Sequence, residues 1–236
     1  MVPTTQWSEI ERLQGRAPTE AWQRFIDRYR GFVTMVLRRL IWTPERSATA
    51  SEEFWGYLFQ SGALARLQRP MRFRAFLVGT LRNYAYDWTR RNPPLQQEGQ
   101  HDHRADPSTL LPEDEEVALW GRQILHLAMQ RLERDQPRWA WVLRSFYGLP
   151  LTVGSEPGSL RHATQLAAEL QCSTNALHQL LFRARQRLRS CVVEEVRQTV
   201  SSQRDLDSEL EVLLAALGGA APGLVAAAPA PGRKSS

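Results

Sequence analysis

Apolar side chains between Pro18 and Leu40 fall at Trp22, Phe25, Ile26, Tyr29, Val33, Val36, Leu37 and Leu40. Steps of three and four residues bring such positions onto one face of an α-helix. The spacing therefore predicts a helix over 18–42 whose bulky residues lie in a core. The same period predicts helices over 5–13, 51–60, 71–91, 113–134, 136–147, 159–170, 173–199 and 205–217. Strand-like alternation is scarce, so the expected fold class is all-α.

Stretches without period divide these elements. Asn92, Pro93 and Pro94 stop one helix, and polar residues then run on to 112, the pattern of a flexible linker. A second irregular stretch, "YGLPLTVGSEPGS", precedes the last basic helices, and "GGAAPGLVAAAPAPGRKSS" closes the chain as a low-complexity tail expected to be disordered. The expected architecture is two small helical domains: 1–92, then a linker over 93–112, then 113–200 containing a helix-turn-helix. A C-terminal helix and an Ala/Pro/Gly tail follow over 201–236.

Composition changes this picture only at its edges. The chain has 236 residues and is 42% hydrophobic, enough to fill real cores. No apolar run approaches the roughly 20 residues of a membrane span, so no membrane insertion is expected. The start, "MVPTTQWSEIERL", lacks the charged and apolar stretches of a signal peptide. Cys172 and Cys191 form neither a disulfide framework nor a metal-ligand spacing, and the expected location is cytoplasmic. His101 and His103 form an H-x-H pair with no cysteine or clustered carboxylate near them in sequence, which reads as solvated linker. No cofactor or metal is expected.

Charge adds more. Residues 1–92 hold 15 arginines against 8 acids, 93–157 hold 6 against 10, and 158–204 hold 7 against 3. Two basic segments separated by an acidic one suit a polyanion gripped at two places.

The first candidate site lies in "MRFRAFLVGTLRNYAYDWTRR", residues 71–91. At 100° per residue, Phe73, Leu77, Leu81, Tyr84 and Trp88 form a buried stripe. Arg72, Ala75, Gly79, Arg82, Asn83, Tyr86 and Arg90 share the opposite side. Small residues there leave room for a chain to lie close, arginines meet phosphates, and Tyr86 and Asn83 offer a stacking face and hydrogen bonds to a base. Arg66 and Arg69 add cations just upstream. On this helix alone, a merely solvated basic face fits the pattern as well.

The second candidate site is "LAAELQCSTNALHQLLFRARQRLR". A helix, a three-residue turn and a second helix capped by Ser173 make a helix-turn-helix pattern. Ala167 and Ala168 are small where two helices would cross. Leu177, Leu181, Ala184 and Leu188 face inward on the second helix. Asn175, His178, Gln179, Phe182, Arg183, Gln186 and Arg189 face out, where amides and guanidinium groups can read base edges in a major groove. An ordinary helical hairpin with basic solubilising residues is the plainer alternative.

Taken together, these stretches resemble the extracytoplasmic-function sigma factors of the sigma-70 family, small bacterial RNA polymerase initiation subunits. The resemblance spans about residues 18 to 217. It implies that "RFRAFLVGTLRNYAYDWTRR", together with Arg66 and Arg69 just upstream, melts and reads the minus-ten element through Arg66, Arg69, Arg72, Arg82, Asn83, Tyr86 and Arg90, with Asn83 near a flipped base. It implies that Thr174, Asn175, His178, Gln179, Phe182, Arg183 and Arg185 read the minus-thirty-five element. "EEFWGYLFQSGALAR" resembles the helix that binds the polymerase clamp, which brings in Glu52, Glu53, Phe54 and Leu58. Ala48 and Thr49 stand where the family usually has acids, and residues 148–158 exceed the usual connection.

The implied partners are bacterial RNA polymerase core, promoter DNA and an anti-sigma factor or other regulator. No bond-making chemistry is implied, so the chain is not expected to be an enzyme. Energetics agree that a large partner is needed. Breaking a base-pair step costs about 1.4 kcal/mol of stacking, and capturing one base on a ring returns about 1–3 kcal/mol, less than a bubble of several steps requires. The alternatives are a helix-turn-helix regulator that binds duplex DNA without polymerase, and a base-flipping enzyme. Asp87 is the only candidate acid for the latter. The 205–217 helix is amphipathic and could bind an inhibitor or fold back on the second domain.

Overall fold

The computed structural model describes residue 13 and residues 18–41, 43–68, 71–93, 111–151 and 158–220. The sequence forms α1 (Thr19–Leu40), α2 (Pro44–Gln60), a 3-10 turn (Ala63–Arg66), α3 (Phe73–Arg91) and α4 (Glu113–Asp135). It continues with α5 (Pro137–Tyr147), α6 (Ala163–Glu169), α7 (Thr174–Arg197) and α8 (Gln203–Ala220). Among the described residues the fold is all-helical, with no strand. Most of the expected 5–13 helix, the linker over 94–110 with His101 and His103, and the tail beyond 220 lie outside the described residues. No described helix is long and apolar enough to cross a membrane.

Helix ends follow local chemistry. The second helix starts at Pro44 rather than at 51, because a proline fits the first turn, where its missing N–H has no partner to lose. The sixth starts at Ala163 rather than at 159. His162 and Gln165 form a reciprocal capping box there, the His162 N–H donating to Gln165 Oε1 at 3.2 Å. Ser173 caps α7 as the sequence predicts, its Oγ accepting from Ala176 N at 3.2 Å. Between α5 and α6 the chain reverses at Gly148, where φ is +62° and a Cβ would stand 2.8 Å from the Gly158 carbonyl oxygen.

Buried apolar residues from both expected domains share a core. One cluster of buried apolar residues runs from α1 through α8. Trp120 of α4 is fully buried, its ring 5.0 Å from Phe32 and stacked at 6.2 Å on Tyr29, both from α1. Phe73 of α3 completes this aromatic group, 5.0 Å from Tyr29. The reason lies in α4, where Val117, Leu119, Trp120, Ile124, Leu127, Ala128, Met129 and Leu132 are all buried. A helix apolar over more than one face buries itself on several sides. Gly121 brings α8 close, since a Cβ there would lie 3.3 Å from Leu217.

A buried ionic group joins the first and last parts of the chain. Glu195 of α7 accepts hydrogen bonds from Arg28 of α1 and from Arg131 of α4, the latter at 2.8 Å. Arg28 also donates to Gln198 at 3.0 Å, and Gln123 Nε2 donates to the Arg28 carbonyl at 2.6 Å. Negative charge and hydrogen bonding around Arg28 outweigh the cost of burial, so its pKa is raised.

Candidate nucleic-acid interface

The first basic helix, α3, is held tightly by its neighbours. Tyr84 donates from its hydroxyl to the Ala50 carbonyl at 3.0 Å, and Trp88 Nε1 donates to Glu53 at 2.7 Å. Both bonds fix α3 against α2. Burial, with Glu53 close by, pushes the Tyr84 phenol well above its ordinary range, so this hydroxyl stays a donor. Arg46 lies over the Trp88 ring at 5.4 Å.

The sequence-derived stripe of Phe73, Leu77, Leu81, Tyr84 and Trp88 is buried, and so are Arg74, Phe76, Val78, Thr80 and Ala85. More of α3 is covered than a single stripe accounts for, because other helices pack on its second side. Ala75, Asn83, Tyr86 and Arg90 are exposed, and a Cβ at Gly79 would meet nothing. These residues leave an open strip along the helix, with Tyr86 about half exposed. Arg66 is exposed in the 3-10 turn, and Arg69 lies outside the described residues.

Two arginines of the expected set are already engaged, which corrects the picture of a wholly open basic face. Arg72 donates to Glu209 at 3.2 Å and to Ser208 at 3.1 Å, both on α8. Arg82 donates to the Leu111 carbonyl at 2.7 Å and to Glu116 at 3.4 Å. Arg74, absent from the expected set, sits between the same two carboxylates. Nothing in its period marked it, because a buried arginine on an apolar face is legible only through partners that lie 42 and 135 positions away.

On α7, Leu177, Leu181, Ala184 and Leu188 are buried. Thr174, Asn175, His178, Gln179, Phe182 and Arg183 are exposed on the same helix, as their spacing predicts. Phe182 keeps 49% of its surface in solvent, large for a ring that packing alone would bury. Ala167 is buried at the crossing of α6 and α7, whereas Ala168 is exposed. Arg185 departs from the exposed group. It donates to the Leu181 carbonyl at 3.3 Å and to the Tyr147 hydroxyl at 3.2 Å, so it braces α7 on α5.

The group expected to meet polymerase splits in two. Glu52 is exposed and pairs with Arg30 at 3.0 Å, and Glu53 is exposed while holding Trp88. Phe54 and Leu58 are fully buried. Phe54 lies 5.3 Å from Tyr84, ring centre to ring centre. Both are therefore corrected from contact residues to core residues, since the inward face of α2 packs on α3. Ala48 and Thr49 are exposed on the preceding turn.

Comparison of the chain with family models, with characterised proteins and with solved structures finds no match.

Proposed function

We propose that the protein is a sigma factor of the extracytoplasmic-function type: it binds bacterial RNA polymerase core and directs initiation at chosen promoters. In this reading α6, its turn and the N-terminal half of α7 form a helix-turn-helix that enters the major groove at the minus-thirty-five element. Asn175, His178, Gln179 and Arg183 offer donors and acceptors to base edges, and Phe182 offers an apolar contact to a thymine methyl or a sugar. The open strip of α3 takes the minus-ten element, with Asn83 bonding and Tyr86 stacking on an unpaired base. Residues 1–92 and 113–200 share one core in this structure, so in this reading they part on promoter and polymerase and act as two reading units on the linker between them.

The single observation that carries this reading is the exposed row Thr174–Asn175–His178–Gln179–Phe182–Arg183 opposite the buried row Leu177–Leu181–Ala184–Leu188 on one capped helix. Glu52 and Glu53 are the residues left to meet the polymerase clamp. The protein would make no covalent chemistry, and the bubble would be stabilised mainly by polymerase.

In vitro transcription with purified core polymerase on genomic fragments tests the proposal. Discrete start sites that depend on this chain support it. Tight, sequence-specific duplex binding with no effect on polymerase would favour a free-standing regulator instead.

A further inference from the structure

We propose that α8 is an acidic latch: docked on the chain, it occupies with Glu209 the arginines at the start of α3, and it leaves when a nucleic-acid backbone takes those cations. The inference rests on the nucleic-acid reading of α3.

The sequence of α8 already contains an anomaly. Leu206, Leu213 and Leu217 form its buried face, spaced as one side of a helix. Glu209 falls on that same face and is only 1% exposed. A carboxylate among leucines is costly to bury unless its oxygens are paired. Its partners come from the distant α3. Arg74 Nε and Nη2 donate at 2.8 and 3.4 Å, and Arg72 Nη1 donates at 3.2 Å.

Neighbouring bonds strengthen the dock. Arg72 also donates to Ser208 on α8 at 3.1 Å, and Arg74 donates to Glu116 at 2.7 Å. The Phe73 N–H donates to the Thr199 carbonyl at 3.3 Å, tying the first residue of α3 to the connection before α8. Burial works against the Arg74 charge, yet bonding and charge from Glu209 and Glu116 outweigh it, and its pKa is raised. Glu116 stays on one side of this guanidinium when α8 leaves, and the side that Glu209 held is the one another anion would take.

Two carboxylate oxygens before a pair of guanidinium forks stand where a phosphate group would stand. The latch and a phosphate backbone therefore compete for the same cations. The latch has the advantage of being tethered, which gives it a high effective concentration. Displacing it requires a ligand with more affinity for the open form than for the closed one.

The test uses the full chain and a forked DNA oligonucleotide, without polymerase. Glu209→Gln removes the charge, and Leu213→Ala loosens α8 from its apolar side while leaving the ion pairs in place. Both variants are expected to bind the fork about tenfold more tightly, since apparent affinity falls with the fraction of competent molecules. Circular dichroism establishes that each is folded, and unchanged affinity in the folded variants overturns the latch. In the wild-type chain, hydrogen–deuterium exchange of α8 amides is expected to speed up when the fork binds. Unchanged protection overturns the latch whether or not the variants fold.

Transcription separates this failure from failure of the sigma-factor reading. If the wild-type chain programs polymerase but Glu209→Gln has neither effect, only the latch is wrong. If Glu209→Gln grips the fork more tightly while no form of the chain acts on polymerase, only the sigma-factor reading is wrong.

Discussion

Glu195→Gln is the sharpest probe of whether α1, α4 and α7 pack together in solution. The wild-type carboxylate sits among Arg28 of α1, Arg131 of α4 and its own α7. Breaking a buried pair by removing one partner costs about 3–5 kcal/mol, because the other charge stays in a poor medium. The figure needs reduction here. The Arg28 and Arg131 side chains keep 20% and 26% of their surface exposed and can lean toward water. Arg131 also retains Glu194 at 3.2 Å, and Arg28 retains Gln198 at 3.0 Å. A loss of about 2 kcal/mol is therefore expected. For a chain of this size that corresponds to a fall in Tm of roughly 4–8 °C. Urea titration followed by circular dichroism gives the free energy, and calorimetry gives the Tm. A loss below about 0.5 kcal/mol, the level of an ordinary surface change, would mean that Glu195 faces solvent and that the continuous core does not persist in solution.

Phe54→Ala is expected to cost about 3–5 kcal/mol of stability, read by the same titration. A stable variant defective only in polymerase binding would return Phe54 to the contact surface. Phe182→Ala and Arg183→Ala should leave stability within about 0.5 kcal/mol and weaken choice of the upstream promoter element in a randomised-promoter assay; unchanged preference would refute that role. Asn83→Ala should impair strand opening more than initial binding, as permanganate footprints report, and normal melting would refute it. His126 gives a pH signature. Its burial, helped by Arg144, holds its pKa below the ordinary histidine value, so the fold favours the neutral ring. The stabilisation is complete above about pH 6.5, the unfolded value, and is lost as pH falls from there toward the lowered folded value. His126→Gln should flatten the change in Tm across that interval, and an unaltered slope would refute the assignment.

Much of the outline was legible along the chain. The period of Phe25, Tyr29, Val33 and Leu37, or of Leu177, Leu181, Ala184 and Leu188, determines which face of a helix seeks a core, because each face is set by spacing alone. Ser173 was likewise readable, since a cap acts within three residues of itself. Exposure of Asn83 and Tyr86 followed from their places opposite the stripe from Phe73 to Trp88, and that of His178 and Phe182 from theirs opposite Leu177 to Leu188. What spacing could not supply was which helices share a core. Trp120 stacks on Tyr29, and Leu217 closes on Gly121, through contacts that no local pattern encodes. The same holds for charge. Arg72, Arg74 and Arg82 look alike in a sequence, and only the fold decided that carboxylates from Glu116 and Glu209 would meet them. A side chain's direction is a property of its own helix. Its partner is a property of how helices pack, and that was settled only when the apolar sides of α4 drew both halves of the chain together.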